Sequence, residues 1–235
     1  MVAKSSVIKN IYTYYISLVL LTIAISLPHS VLTVLLLAKG ITLSQIMIIQ
    51  AGYSFAVLIS EYPSGLIADM YSKKMVFICS KLFLLLMFCL VISINNFWML
   101  LTAWFMYGIS SALDTGTIEA EIINQLKLSG MQIDKFISNS NRLNFIALLI
   151  GSSIGSFIYY AIGIKLYWIS IILTIISTIC VGIFYKGETS EKTKISLFEI
   201  FKRMLVQSKD GIQEIKRKES LKLMIALELA LCYVC

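Results

Sequence analysis

Long apolar runs separated by short polar interruptions dominate the first 185 positions. Residues 11 to 38, 43 to 60, 75 to 94, 97 to 113, 143 to 162 and 166 to 185 are apolar almost throughout, with Lys81 the one charge inside the third. Each can cross a hydrocarbon core of ~30 Å as a helix of about 20 residues. Membrane β-strands are excluded, because they run about 10 residues in strict alternation, whereas residues 82 to 94 and 171 to 183 are apolar on every side. The pattern predicts an all-α membrane protein, a six-helix transmembrane bundle over residues 1–185.

Turn signals divide the spans. Lys39-Gly40 ends the first, and Thr42-x-x-Gln45 is a capping box that starts the second. Residues 70 to 74 join spans two and three, Asn95-Asn96 joins three and four, and Gly163 precedes span six. Such short connections predict that sequential helices pack antiparallel. Residues 186–220 read as a basic cytoplasmic linker, in which the capping box Ser196-x-x-Glu199 precedes an amphipathic pattern through Leu197, Phe201, Met204, Leu205, Ile212 and Ile215. A seventh apolar run occupies 221–235, and its fifteen residues reach only ~22 Å as a helix. It reads as a truncated seventh span, so the sequence is expected to be a fragment.

Composition sharpens this picture. Hydrophobic residues make up 58% of the 235 and charged ones 14%, which excludes a water-soluble globular protein. With a cytoplasmic amino terminus, 18 of the 20 basic residues fall on the inner side and only Lys39 and Lys165 on the outer. Lys and Arg accumulate on the cytoplasmic side, so this orientation is expected. The net charge of +7 then faces membrane lipid headgroups and needs no nucleic acid as partner. Cys79, Cys89, Cys180, Cys232 and Cys235 fall in or beside spans and are expected to be inert buried thiols. No cofactor or metal site is predicted.

Ionisable groups in or near the hydrocarbon are costly to keep there and are the first functional candidates. Glu61 lies toward the inner end of span two. Asp114, Glu119 and Glu121 follow the apolar part of span four, and Arg142 begins span five. If span four continues as a helix, Asp114, Glu121 and Gln125 share one face, and Arg142 can pair with one of these carboxylates. The alternatives are a proton- or substrate-handling group and a salt-bridge cluster that holds helices in register. His29, after Pro28, is a further titratable candidate. Gly151-x-x-x-Gly155 in span five reads as a helix-packing seam.

The stretch 61 to 74 is Glu-Tyr-Pro-Ser-Gly-Leu-Ile-Ala-Asp-Met-Tyr-Ser-Lys-Lys. Gly65, Ala68, Asp69, Lys73 and Lys74 resemble the signature between spans two and three of the major facilitator superfamily. Glu61, Pro63, Ser64 and Gly65 resemble the version found in a bacterial, drug-efflux-like branch. Thr115-Gly116-x-x-Glu119-Ala120-x-x-x-Asn124-x-Leu126 resembles a second motif of that branch. The resemblance implies the amino-terminal half of a two-half transporter plus the start of the seventh span, with the second six-helix half missing and a substrate cavity between halves. It also implies that Asp69 pairs with a helix end of that second half and that Gly65 permits close contact between halves. Ser72 replaces the usual Gly and Met70 a frequent Arg, departures expected to loosen the turn. Span four lacks an Arg, and Ser156 stands where many antiporters have Pro.

The function expected is secondary active transport of a small-molecule substrate across the plasma membrane (the bacterial inner membrane), by efflux and with proton coupling through Glu61 and Asp114. The incomplete chain is expected to be inactive alone. The alternative is a non-transporting accessory or regulatory protein that keeps the fold of a transporter half. An enzyme is not expected: no His-Glu-x-x-His occurs, and the one Gly-x-Ser-x-Gly, residues 151 to 155, lies inside a continuous span.

Overall fold

The structure, a computed structural model, describes residues 4–187. The predicted linker helix and seventh run lie outside the described residues. Eight α-helices follow one another: α1 (Lys4–His29), α2 (Leu32–Ala38), α3 (Leu43–Met70), α4 (Lys73–Ser93), α5 (Phe97–Asp114), α6 (Ile118–Leu128), α7 (Ile133–Ile162) and α8 (Leu166–Phe184). By length and composition Ser5–His29, Leu43–Glu61, Lys73–Ser93 and Ile133–Phe184 can cross a membrane. The last is 52 residues long and holds two helices, α7 and α8, divided by the short 3-10 turn Gly163–Lys165. Trp98, Trp104, Tyr107 and Asp114 dilute the hydropathy of α5, the remaining crossing of a six-helix bundle.

One expected span is interrupted, and a conditional extension of another does not form. The run 11 to 38 is not one helix, because Pro28 has no amide to give the carbonyl four residues back and its ring crowds that carbonyl. α1 ends at His29 and α2 begins at Leu32, with Val31 N bonding Pro28 O at 3.3 Å. Span four, expected over 97 to 113, ends at Asp114, and its helix does not continue to Glu121 and Gln125. Gly116 has φ +74, a conformation that costs any other residue about 1 kcal/mol or more. Thr117 then turns back on Asp114, its hydroxyl donating to the Asp114 carbonyl at 2.8 Å.

Other boundaries follow local chemistry. Thr42 and Gln45 form the capping box, with Gln45 N on Thr42 Oγ1 at 3.4 Å and Thr42 N on Gln45 Oε1 at 3.0 Å. Ser72, in place of the usual Gly, acts as a helix cap. It caps α4 by accepting from Met75 N at 3.2 Å, and neither Tyr71 nor Ser72 needs a positive φ. Lys39 ties the turn after α2 to the turn after α4 by donating to Ile94 O at 2.7 Å and Asn95 Oδ1 at 2.8 Å. Partial burial pulls its ammonium below the usual lysine range.

The packing order departs from the expectation of sequential partners. The most extensive contacts join α3 with α5 and α1 with α7, both non-sequential pairs; α4 with α5, α1 with α8 and α4 with α8 complete the bundle. Both non-sequential pairs run parallel, since Gly52 meets Leu101 and Gly108 meets Tyr53 and Ala56, while Gly151 meets Ile23 and Ser26 and Gly155 meets Leu27 and Ser30. Lipid supplies no hydrophobic drive between helices, so close approach over small residues and interhelical hydrogen bonds does the joining. Ser17 and Ser177, at 2.7 Å, link α1 to α8, and Ser110 donates to the Ser80 carbonyl at 2.7 Å between α5 and α4. One core cluster gathers Leu36, Ile49, Leu84, Phe88, Trp104 and Tyr167, and another gathers Phe77, Ile118, Ile122, Leu126, Phe136 and Val181. Large apolar side chains remain exposed along α3 and α7, among them Met47, Leu58, Phe145 and Phe157. Cys79 and Cys89 are also exposed on α4, which corrects the expectation of buried thiols.

Candidate functional site: two adjacent cavities in the bundle

Three polar stripes meet where α1, α5 and α7 face one another. Spacings of three and four residues put Thr22, Ser26 and His29 on one face of α1, Tyr107, Ser111 and Asp114 on one face of α5, and Asn144, Leu148 and Ser152 on one face of α7. A first cavity of about 520 Å³ is walled by Ile25, Leu148 and Tyr107, with His29 and the hydroxyls of Ser26, Ser30 and Ser152. A second, of about 340 Å³, lies toward Gly116 and is lined by Tyr14, Phe77, Ser111, Asp114, Thr117 and Glu119. Thr22, Ile25 and Asn144 line both. At this junction the Thr22 hydroxyl donates to Asn144 Oδ1 at 2.7 Å.

The charges in the second cavity are unequal. Asp114 Oδ2 lies 2.8 Å from Lys81 Nζ, and the two differ in access: the Lys81 side chain is 2% exposed and that of Asp114 41%. Lys81 also stands 4.6 Å from the centre of the Phe77 ring. A buried ammonium is tolerable here only because a carboxylate and an aromatic face replace water. Glu119 is exposed and faces the Tyr14 hydroxyl, with no cation in ion-pair reach among the described residues. In the first cavity the His29 ring lies 5.9 Å from that of Tyr107, which lies 4.8 Å from Tyr53. The Tyr53 hydroxyl donates to Ser111 Oγ at 3.3 Å.

The predicted candidates are thus dispersed. Asp114, Glu119 and His29 reach the cavities, Asp114 and Glu119 in the second and His29 in the first. Glu121 and Gln125 do not share a helix face with Asp114, because the break at Gly116 puts them on α6. Both are buried there: Gln125 accepts from Asn10 Nδ2 at 3.1 Å, and Glu121 lies against Gly187. Arg142 pairs with none of these carboxylates; it is exposed on α7, and Lys81 takes the partner role instead. Glu61 is exposed on α3 and lines neither cavity. Gly65 is exposed with open space beside it, Ala68 is buried, and Asp69 lies in the last turn of α3. Lys73 begins α4, and Lys74 donates to the Tyr185 carbonyl at 3.0 Å. Gly151 and Gly155 lie in the α1–α7 seam, where a Cβ on either would overlap Ser26 or Leu27 and Ser30.

Thr22, Tyr107, Ser111 and Asn144 were not singled out from the sequence, although polar residues recurring at helical spacing within an apolar run would have marked them. Among the described residues, no group of three His, Cys, Asp or Glu side chains is placed to hold a metal ion.

The sequence model described as Major Facilitator Superfamily matches residues 14–234. The chain belongs to that superfamily. Among solved structures, this Major Facilitator Superfamily chain is similar to the human organic anion transporter MFSD10 (TETRAN), with a TM-score of 0.61 and 14% identity over 79% of this chain. It spans 49% of that chain, about half its length. At that identity the likeness shows the fold alone. No curated protein matches the sequence. The chain is a multi-pass membrane protein of a transporter superfamily.

Proposed function

We propose that the chain is the amino-terminal half of a secondary active transporter that exports a small molecule, with the two adjacent cavities of α1, α5 and α7 forming its share of the substrate path. The observation that carries this reading is the adjacency of the two cavities, which share Thr22, Ile25 and Asn144 as walls along helices apolar elsewhere. Polar groups in a bilayer are costly, and a lined, accessible path is the setting in which such stripes are useful. The second half would close the open side. Gly65, exposed and with space beside it, suits a close approach by that half. Asp69 would pair there with a helix amino terminus, whose partial positive charge favours a carboxylate.

The orientation supported by the basic residues places Lys73 and Lys74 on the cytoplasmic side of a bacterial inner membrane. Residues 186–220 would form the cytoplasmic linker and 221–235 the start of span seven. Proton coupling would use Glu61 and Asp114, as the inner-end carboxylates. An accessory role gains no specific support from the geometry. A liposome flux assay tests the reading: the full-length form moves solute against a gradient, and residues 1–235 alone show no saturable flux. Saturable flux by this chain alone would defeat it. An imposed proton gradient that drives Glu61→Gln and Asp114→Asn as well as the parent would defeat the coupling. Impermeant labelling of Lys73→Cys from outside would reverse the orientation.

A further inference from the structure

Past the last residue of α8 the chain is held in two unlike ways. Tyr185 is fixed: its side chain is buried in the cluster of Phe77, Ile118 and Phe136, its amide bonds Val181 O at 3.1 Å, and its carbonyl accepts from Lys74 Nζ at 3.0 Å. Lys186 and Gly187 are exposed. What holds them is the carboxamide of Asn10, which donates to Lys186 O at 2.9 Å and accepts from Lys186 N at 3.0 Å. A side chain thus supplies both bonds that a neighbouring strand would give. Asn10 is 1% exposed, and its Nδ2 also donates to Gln125 Oε1 of α6 at 3.1 Å. Gly187 passes close to Glu121, where a Cβ would come within 3.3 Å of Oε1.

This arrangement has two workable states. Water can replace the bonds to the exposed backbone of Lys186, and each such bond is worth a factor of roughly two to ten in the balance. A buried amide left without partners would oppose the change. Asn10 escapes that penalty because Gln125 stays beside it, and the Oδ1 freed by Lys186 can accept from the Gln125 amide. Tyr185 has no such freedom, since lifting it would expose its ring to water. It acts as a pivot.

We propose that Lys186 and Gly187 form a latch on the bundle, seated by Asn10 and released about Tyr185, with Gln125 as the alternative partner that makes release reversible. Release frees two residues, about 7 Å of extended chain. The use of this slack rests on reading residues 186–220 as the linker to a second half: it lets that half tilt without stretching the linker, and reseating takes it up.

Hydrogen exchange at single amides, read by mass spectrometry on the 235-residue chain in lipid nanodiscs, tests the latch. The Lys186 amide exchanges about tenfold more slowly than an unprotected amide, yet much faster than Tyr185, whose bond is helical. Asn10→Ala brings Lys186 to the unprotected rate and leaves Tyr185 slow. Gln125→Leu acts in the opposite direction and slows Lys186 by about threefold or more, because released Asn10 then has no partner. Loss of the fold would speed both amides. If Gln125→Leu speeds Tyr185 as well, Asn10→Ala decides alone. A Lys186 amide as slow as Tyr185, one unprotected in the parent, one unchanged by Asn10→Ala, or one that Gln125→Leu fails to slow while Tyr185 stays slow overturns the proposal. The exchange is read without solute or gradient. If both arms hold and the full-length form moves nothing, the latch stands and the transporter reading falls; if the full-length form transports with Lys186 unprotected, only the latch falls.

Discussion

The two ends of the bundle hold together by different means. At the end carrying Asp114, polar side chains do the work: Lys81 pairs with Asp114, Asn10 bonds Gln125 and both backbone groups of Lys186, and Lys74 reaches the Tyr185 carbonyl. At the end carrying His29, contact is a matter of shape. Gly155 lets α7 approach the backbone of α1 at Leu27, and the Phe88 and Tyr167 rings meet edge to face at 5.7 Å. Lys39 adds a polar tie between the turns after α2 and α4. The contrast teaches where substitution by type and substitution by size should hurt: a lost charge at the first end, an added methyl group at the second.

The largest effect is expected from Asp114→Asn, which leaves the Lys81 ammonium buried without its partner and costs about 3–5 kcal/mol. Unfolding in mixed detergent micelles measures this, and the double variant Lys81→Met/Asp114→Asn recovers most of the loss. A stable single variant would remove the charge argument for this end. Gly155→Leu follows at about 1–3 kcal/mol, because the nearest obstacle is backbone and cannot rotate away. The same titration gives its cost, and high salt should leave it unchanged. Asn10→Leu strips partners from Gln125 and Lys186 and costs about 1–3 kcal/mol, the penalty for polar groups left unsatisfied. Lys39→Ala is the smallest, below about 1 kcal/mol, since water can take over the freed carbonyls at the surface. A loss from Lys39→Ala as large as that from Gly155→Leu would erase the contrast.

Much of the fold was readable because its causes are local. Apolar length marks the crossings, Thr42 and Gln45 mark a helix start, and the spacing of Gly151 and Gly155 marks a close contact. Partner choice was less accessible. Lys81 and Asp114 are 33 positions apart and meet only because α4 and α5 pack in one register, which no single run encodes. Arg142 looked equally suitable by type. The break after Pro28 lies in a stretch whose composition favours a continuous helix, and past the expected end of span four nothing in the spacing alone decides between continuation and the turn at Gly116. The site suffered most from this: a straight span four would have placed Glu121 with Asp114, whereas the turn at Gly116 sends Glu121 into the core and brings Glu119 to the cavity.

The first helix takes its polar partners from far along the chain, which bears on how the protein is made. Asn10 must wait for Gln125, 115 positions later, and then for Lys186, 176 positions later. At roughly 5–20 residues per second of synthesis, the second wait lasts about ten to thirty-five seconds. Asn10 has neither of these partners until Gln125 is made, and Ser17 waits 160 positions for Ser177. Nascent α1 therefore needs a temporary companion, in the insertion machinery or among the helices that precede α7, until its lasting neighbours emerge from the ribosome.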